Sequence, residues 1–124
     1  MRVVLFDLDD TLFDHQYCSR AGLAAVQQTY TGRIHGSVEE VEAAYRELLE
    51  VSHLKVLEGL ISIDEARIER FRVMLSSEQT MATEDEARTA ARCYRAAFDA
   101  AYQPVPGAIE LLKRVKAECP IGIV

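Results

Sequence analysis

Residues 3–12 read Val-Val-Leu-Phe-Asp-Leu-Asp-Asp-Thr-Leu, and this pattern indicates the class of fold. Its first four residues are apolar on both faces, which is typical of a strand buried in a parallel sheet. Three carboxylates then follow within four positions, and a buried strand cannot continue through them without ligands or hydrogen-bond donors. Because ligands of open α/β sheets bind at the carboxyl ends of strands, the pattern predicts a functional turn directly after a first strand.

In such a turn, the carboxylates of Asp7 and Asp9 are expected to point into one crevice. Neighbouring carboxylates repel at neutral pH, so they need a cation or a shared proton. Magnesium suits such a site, because it is a hard cation that binds oxygen ligands and keeps several waters. A carboxylate can also attack phosphorus and form an aspartyl-phosphate, while a second one acts as general acid and base. The turn is therefore a candidate magnesium site at Asp7 and Asp9, and its carboxylates are suited to phosphoryl chemistry.

A long helical region follows the turn. Its first segment keeps a helical spacing of apolar residues at Leu23, Val26 and Tyr30. Three further segments each open with a capping box, a Ser or Thr followed three residues later by Glu, and the boxes begin at Ser37, Ser62 and Thr83. Because short polar links join these segments, residues 15–102 are predicted to form an antiparallel bundle of four helices.

The chain returns to α/β character after residues 104–107, which read Pro-Val-Pro-Gly. An amphipathic helix is predicted from Ala108 to Lys116, Pro120 ends it, and residues 121–124 read as a second buried strand. Strand, helices, helix and strand form the skeleton of a parallel α/β unit. Two strands make a poor sheet, so we expect either a longer protein of which this is the front portion or a partner that supplies the missing strands.

The strand with its Asp-x-Asp-x-Thr motif at residues 7–11 resembles the first signature of the haloacid dehalogenase superfamily. The resemblance implies an α/β fold with a Rossmann-like parallel-sheet core, of which only the first part is present, and an inserted four-helix-bundle cap of the first cap subclass. Core residues would be 1–14, the cap 15–102, and the return linker, helix and second strand 103–124.

The resemblance also implies roles for the residues of the motif. Asp7 would be the nucleophile, and Asp9 would be the general acid and base that also binds the metal through its backbone carbonyl. Thr11 would hold the turn and orient Asp9, and Asp10 falls at a variable position with no chemical step. The implied enzyme is a magnesium-dependent phosphatase that hydrolyses a small phosphorylated metabolite through an aspartyl-phosphate, and it is most similar to the nucleotidase-like and general sugar-phosphate phosphatases.

Two alternatives stay open at this point. A phosphomutase of the same superfamily keeps both aspartates, and a non-catalytic fragment would use the helical bundle for association. The family's phosphate-binding Thr or Ser, its Lys and its later acidic pair have no counterpart in these 124 residues. We therefore expect the chain alone to show little or no turnover.

Composition limits the partners and the compartment. The formal net charge of −6 argues against nucleic acid and anionic membranes, which bind clustered Lys and Arg. No apolar run approaches the length of a membrane span. Three cysteines with no metal-ligand spacing predict reduced thiols in a cytoplasmic protein. The oligomeric state stays open.

Expectations for the remaining side chains concern the bundle. Helical spacing places five aromatic residues in its core: Tyr17, Tyr45, Phe71, Tyr94 and Phe98. The charged stretch 64–72 is predicted to be a solvated helix face with i,i+4 pairing, and His35 and His53 to lie on the surface or in helix packing. Asp14 and His15 are expected either to form a polar linker into the cap or to touch substrate.

Overall fold

A computed structural model describes residues 2–124. Along the chain, a first short strand is followed by four bundle helices, a fifth helix and a second short strand, in the order β1, α1 to α5, β2. The elements are β1 (Val4–Phe6), α1 (His15–Thr29), α2 (Val38–Leu57), α3 (Ile63–Leu75), α4 (Glu84–Ala100), α5 (Ala108–Glu118) and β2 (Ile121–Ile123). The predicted fold class, an α/β unit with an inserted four-helix bundle, is confirmed.

Local hydrogen bonds explain where the bundle helices begin. All three predicted capping boxes form both of their bonds; in the first, Ser37 Oγ accepts from the Glu40 amide at 3.2 Å and Glu40 Oε2 accepts from the Ser37 amide at 2.7 Å. Helix α1 is capped by Asp14, whose carboxylate accepts from the Tyr17 amide. Each cap satisfies donors that the first turn of a helix leaves without a partner.

The core of the bundle lies between α1, α2, α3 and α4. Helix α1 packs mainly on α4, and α3 packs on both α2 and α4. The larger buried side chains are Leu23, Val26, Val41, Tyr45, Phe71, Leu75, Tyr94 and Phe98. Four of the five predicted core aromatics are therefore confirmed.

The prediction for Tyr17 was wrong, because its side chain is 50% exposed. The buried positions of α1 include Cys18, Gly22 and Val26. Successive helical residues are separated by about 100° around the axis, so Tyr17 lies on the face opposite to these positions. An aromatic residue at roughly helical spacing was not enough to determine which side of α1 faces the bundle.

The two strands form a parallel pair in which Val4 lies opposite Ile121 and Phe6 opposite Ile123. The prediction that the first strand is buried was wrong for this structure, since Leu5 is 62% exposed. Within residues 2–124 the sheet has only these two strands, and α5 contacts β2. The Leu5 side chain is consequently left largely uncovered, while Phe6 is partly buried.

The chain leaves the sheet for the bundle and returns to it through two adjacent segments. The Asp14 amide donates to the Gln103 carbonyl at 3.0 Å, and the Val105 amide donates to the Leu12 carbonyl at 2.9 Å. Phe13 and Pro104 form an antiparallel bridge between them. This double crossing brings the turn after β1 beside the helices; the exact domain boundaries at residues 14 and 103 stay predictions.

Two further findings concern the chain as a whole. In the part of the chain described, no helix combines the length and the hydrophobicity that a membrane span requires. All three cysteines are free thiols, and burial raises the pKa of the Cys18 thiol.

Candidate active site

The predicted nucleophile stands at the end of the first strand. Asp7 directly follows β1, and its side chain is exposed. The Thr11 hydroxyl donates to Asp7 Oδ2 over 3.4 Å, which is long for a hydrogen bond. The contact that the structure shows for Thr11 is thus with Asp7, whereas the resemblance implied an orienting role toward Asp9. Both residues belong to the same tight turn.

The turn is closed by backbone hydrogen bonds. The Leu8 carbonyl accepts from the amides of Leu12 and Phe13, each at 3.0 Å, and the Asp10 amide donates to the Phe13 carbonyl at 2.7 Å. Asp10 has a φ of 59°, in the left-handed region that Asp and Asn tolerate better than most residues. These bonds hold the turn in a fixed conformation between β1 and α1.

Asp10 has a structural role that the motif did not reveal. Its Oδ1 accepts from the Gln16 amide at 2.9 Å, at the start of α1. A carboxylate there also complements the positive end of the helix dipole. The residue to which sequence reasoning assigned no chemical step therefore joins the turn to the first helix of the bundle.

A cleft of about 420 Å³ lies between the turn and the bundle. Asp9 lines it from the turn, and all other lining residues come from the helices. They include His15, Tyr45, His53, Arg67, Arg70, Tyr94, Arg95 and Phe98. Within residues 2–124, Asp7 is not part of this lining. The volume is in the range of clefts that hold a small organic molecule.

Arginines outnumber acidic residues in the lining of the cleft, although the chain as a whole is acidic. Three arginines face one aspartate, in a chain whose formal net charge is −6. Arg67 is paired with Asp64 and Arg95 with Asp99, each at 3.1 Å, while Arg70 is buried. A low-dielectric cleft lined by cations concentrates anions.

The cleft residues on α3 correct the interpretation of its charged stretch. Arg70 is only 6% exposed, so the prediction of a solvated face was wrong for this residue. The sequence did contain a signal: Arg70 lies four residues after Ala66 and next to Phe71, and both of these are buried. An arginine inside the apolar stripe of a helix is the pattern that identifies it.

The histidines near the site differ in their surroundings. His15 lines the cleft from the first turn of α1 and contacts the Phe98 ring edge to face at 5.3 Å. His53 is exposed on α2, as predicted, and it also lines the cleft.

Tyr94 is a further polar residue of the cleft, and its hydroxyl donates to the Ser19 hydroxyl at 3.0 Å. Burial raises the pKa of this phenol well above its ordinary value, so it stays neutral.

The donor set can be tested against the predicted magnesium ion. Asp7 and Asp9 offer hard oxygen ligands at the end of a strand, and magnesium commonly binds through one or two carboxylates and several waters. Among residues 2–124, no group of three or more His, Cys, Asp or Glu side chains is placed to share a metal ion. The turn therefore fits part of a magnesium shell.

Comparison with solved structures identifies the fold. No family model and no curated protein sequence matches the chain. Among solved structures, it is similar to the HAD-hydrolase YfnB from Bacillus subtilis bound to magnesium, with a TM-score of 0.78 and 24% identity over 99% of this chain. It is also similar to L-2-haloacid dehalogenase from Xanthobacter autotrophicus, with a TM-score of 0.59, 24% identity and the same coverage.

The chain has a haloacid dehalogenase fold. The expected resemblance is confirmed at this level, because the superposition extends over nearly every residue of the chain. The chain spans 51% of the length of the YfnB structure and 45% of the dehalogenase structure. In this haloacid dehalogenase fold, the turn at residues 7–11 and the cationic face of the bundle lie on either side of one cleft.

Proposed function

We propose that the protein is a magnesium-dependent phosphatase that hydrolyses a small phosphorylated metabolite through an aspartyl-phosphate. The observation that carries the proposal is the cleft, in which Asp9 of the motif faces three arginines of the helices. A carboxylate turn opposite a cationic wall suits a substrate that is itself anionic. The fold, and the magnesium that the YfnB structure binds, support the same assignment.

The first half of the reaction uses both aspartates. The Asp7 carboxylate attacks phosphorus, an oxygen–phosphorus bond forms, and the bond from phosphorus to the substrate alcohol breaks. Asp9 donates a proton to the leaving alkoxide oxygen. The Thr11 hydroxyl lies 3.4 Å from Asp7 Oδ2 and is a weak restraint on the carboxylate in the turn.

The second half returns the enzyme to its starting state. Asp9, now ionised, accepts a proton from a water that attacks the phosphorus of the aspartyl-phosphate. The bond between Asp7 and phosphorus breaks, and inorganic phosphate leaves. When bound at Asp7 and Asp9, magnesium supplies positive charge that neutralises the phosphate oxygens.

The setting of this activity is part of the proposal. A small phosphorylated metabolite is the partner, with neither nucleic acid nor membrane involved, and the compartment is the cytoplasm. The net charge of −6 and the three free thiols support this setting. Within the superfamily, Asp9 argues against dehalogenase chemistry, because the resemblance implies that dehalogenation does not need this acid.

The direct test compares three variants of the motif in the full-length protein. With magnesium and a panel of small phosphoesters, Asp7→Asn should lower phosphate release at least about a thousandfold, because the nucleophile is lost. Asp9→Asn should lower it by about 10²–10⁴-fold, the usual contribution of a general acid and base. Asp10→Asn is the matched control, since asparagine tolerates the left-handed conformation and keeps an oxygen acceptor for Gln16.

Phosphorus NMR of the same reactions separates release of inorganic phosphate from transfer to another hydroxyl, which a mutase would catalyse. Equal activity of wild type and Asp7→Asn would remove Asp7 from the nucleophile role. Absence of turnover in the full-length wild-type protein with every ester of the panel would count against a phosphatase and in favour of a binding module.

A further inference from the structure

The guanidinium of Arg70 is buried in the wall of the cleft. The residue is 6% exposed, its Nη1 donates to Ser52 Oγ at 2.8 Å, and its Cζ lies 5.3 Å from the centroid of the Tyr45 ring. Ser52 is itself buried and donates onward to the Leu49 carbonyl at 3.2 Å. Two contacts from α2, one of them to a hydroxyl that is itself held by a backbone carbonyl, therefore fix the position of this charge.

What Arg70 lacks is an anion. Within residues 2–124, its Nε has no hydrogen-bond partner, and no carboxylate lies within ion-pair distance of its guanidinium. The two other cleft arginines are each paired with an aspartate on their own helix. A buried charge without a counter-ion is strongly destabilising, and an apolar side chain of similar size would pack at this position at less cost. Because Arg70 lines the cleft, an anion bound there would supply the counter-ion that the described residues do not.

The position of Arg70 in the cleft indicates which part of a substrate would carry the anion that it binds. Arg70, Ser52 and Tyr45 all belong to α2 and α3, whereas Asp9 lines the same cleft from the turn after β1. A phosphoryl group that reacts at Asp7 and Asp9 is held at the turn, and the remainder of the substrate occupies the helical side of the cleft. The group that reaches Arg70 then belongs to the leaving alcohol.

We infer that Arg70 forms an anion subsite in the cap, which binds a second anionic group, a carboxylate or a second phosphate, on the leaving-group part of the substrate. This inference rests on the proposed phosphatase function for its orientation, but the anion site itself does not. A guanidinium that lines the cleft, with Nη1 held by Ser52, offers charge-assisted hydrogen bonds of fixed direction to a planar carboxylate or to a phosphate.

Anion binding can be measured without catalysis. The Nε–H resonance of Arg70 in ¹⁵N-labelled protein is identified by its absence in Arg70→Lys. In magnesium-free buffer, sodium malonate tests for carboxylate recognition and inorganic phosphate for phosphate recognition. A saturable shift of this resonance with either probe supports the subsite and identifies its anion. No shift with either probe overturns the inference.

Catalysis gives the second test through matched substrate pairs. Phosphoserine differs from phosphoethanolamine by one carboxylate, and propanediol bisphosphate differs from hydroxypropyl phosphate by one phosphate. Wild type should favour the doubly anionic member of one pair by about ten- to a hundredfold in kcat/KM, the usual effect of a hydrogen bond to a charged group. Arg70→Met should abolish that preference, mainly through KM, and Arg70→Lys should restore part of it.

Arg72→Met is the matched control. Arg72 lies on the same helix, is exposed and does not line the cleft in the described residues, so its substitution should leave the preference unchanged. A wild-type enzyme that treats both members of both pairs alike, or an Arg70→Met variant that keeps the preference, contradicts the subsite. If no phosphoester is hydrolysed while the Arg70 resonance still shifts, the phosphatase proposal fails and the anion site stands.

Discussion

At the scale of single residues, Gly22 of α1 lies directly against Tyr94 of α4. A Cβ at this position would lie 2.5 Å from Tyr94 Cδ2 and 3.0 Å from the Tyr94 carbonyl oxygen. These distances are shorter than van der Waals contact, and Tyr94 is held in the core and by its bond to Ser19. Only hydrogen at this α-carbon lets α1 and α4 pack at this separation.

Gly22→Ala should therefore destabilise the protein, although alanine is the better helix former by about 1 kcal/mol. We expect the free energy of unfolding to fall by about 1–3 kcal/mol, the range for overpacking a core. Urea denaturation followed by circular dichroism measures it. Ala43→Gly at an exposed position of α2 is the control and should cost about 1 kcal/mol from propensity alone. A more stable Gly22→Ala protein would show that α1 and α4 can separate freely.

At the scale of the secondary-structure elements, the capping boxes link helix formation to pH. Hydrogen bonds from the Ser62 backbone lower the pKa of Glu65, and those from the Thr83 backbone, followed by the Arg33 side chain, lower the pKa of Glu86. A carboxyl whose pKa is lower in the folded state binds fewer protons there than in the unfolded chain. Its contribution to stability is present above the ordinary pKa of 4.5 and is lost as the pH falls through the folded value.

The double variant Glu65→Gln, Glu86→Gln should therefore lose less stability than wild type when the pH is lowered from about 6 to about 3. Glutamine retains the box hydrogen bonds but cannot titrate. The measurement is the urea midpoint at each pH. Glu47→Gln is the control, because Glu47 is exposed on α2 with no hydrogen bond or ion pair to any described side chain, and it should follow the wild-type curve. Parallel curves for the double variant and wild type would show that these boxes contribute nothing to acid sensitivity.

At the scale of the whole molecule, aromatic packing holds the double crossing between the sheet and the bundle. The Phe13 ring stacks on Tyr102 at 4.3 Å between centroids and meets the Phe98 ring edge to face at 6.0 Å. Together with the backbone bonds of Asp14 and Val105, this packing connects the outgoing segment, the incoming segment and α4. The position of the Asp-containing turn relative to the cleft depends on this connection.

Phe13→Ala should loosen this crossing. Because Phe13 is half-buried, we expect a loss of about 2–3 kcal/mol, below the usual value for a fully buried phenylalanine. Amide exchange should also accelerate more at Asp14 and Val105 than in the middle of α2, since the lost contacts lie at the crossing. Tyr17→Ala, which removes an exposed aromatic from the neighbouring turn, should change stability by no more than about 0.5 kcal/mol. Uniform acceleration across the chain would mean that the crossing opens only with the whole protein.

The helices and the turn show how much of the fold the sequence predicts. The capping boxes at Ser37, Ser62 and Thr83 were predicted from the sequence, because the two partners of each hydrogen bond lie within one helical turn of each other. The motif predicted where a strand would end and present Asp7, and β1 ends at Phe6. Interactions between residues close in sequence are encoded locally, so they can be read without the tertiary structure.

Burial and the composition of the cleft were decided by tertiary structure. Tyr17 and Arg70 each lie in a helix that was predicted correctly, yet the first is exposed and the second is buried. Which side of a helix is covered depends on how distant segments pack against it, and a local pattern does not fix that rotation. The elements and the residues of the turn could be read from the sequence, whereas only the packing of α2 and α3 placed an unpaired guanidinium in the same cleft as Asp9.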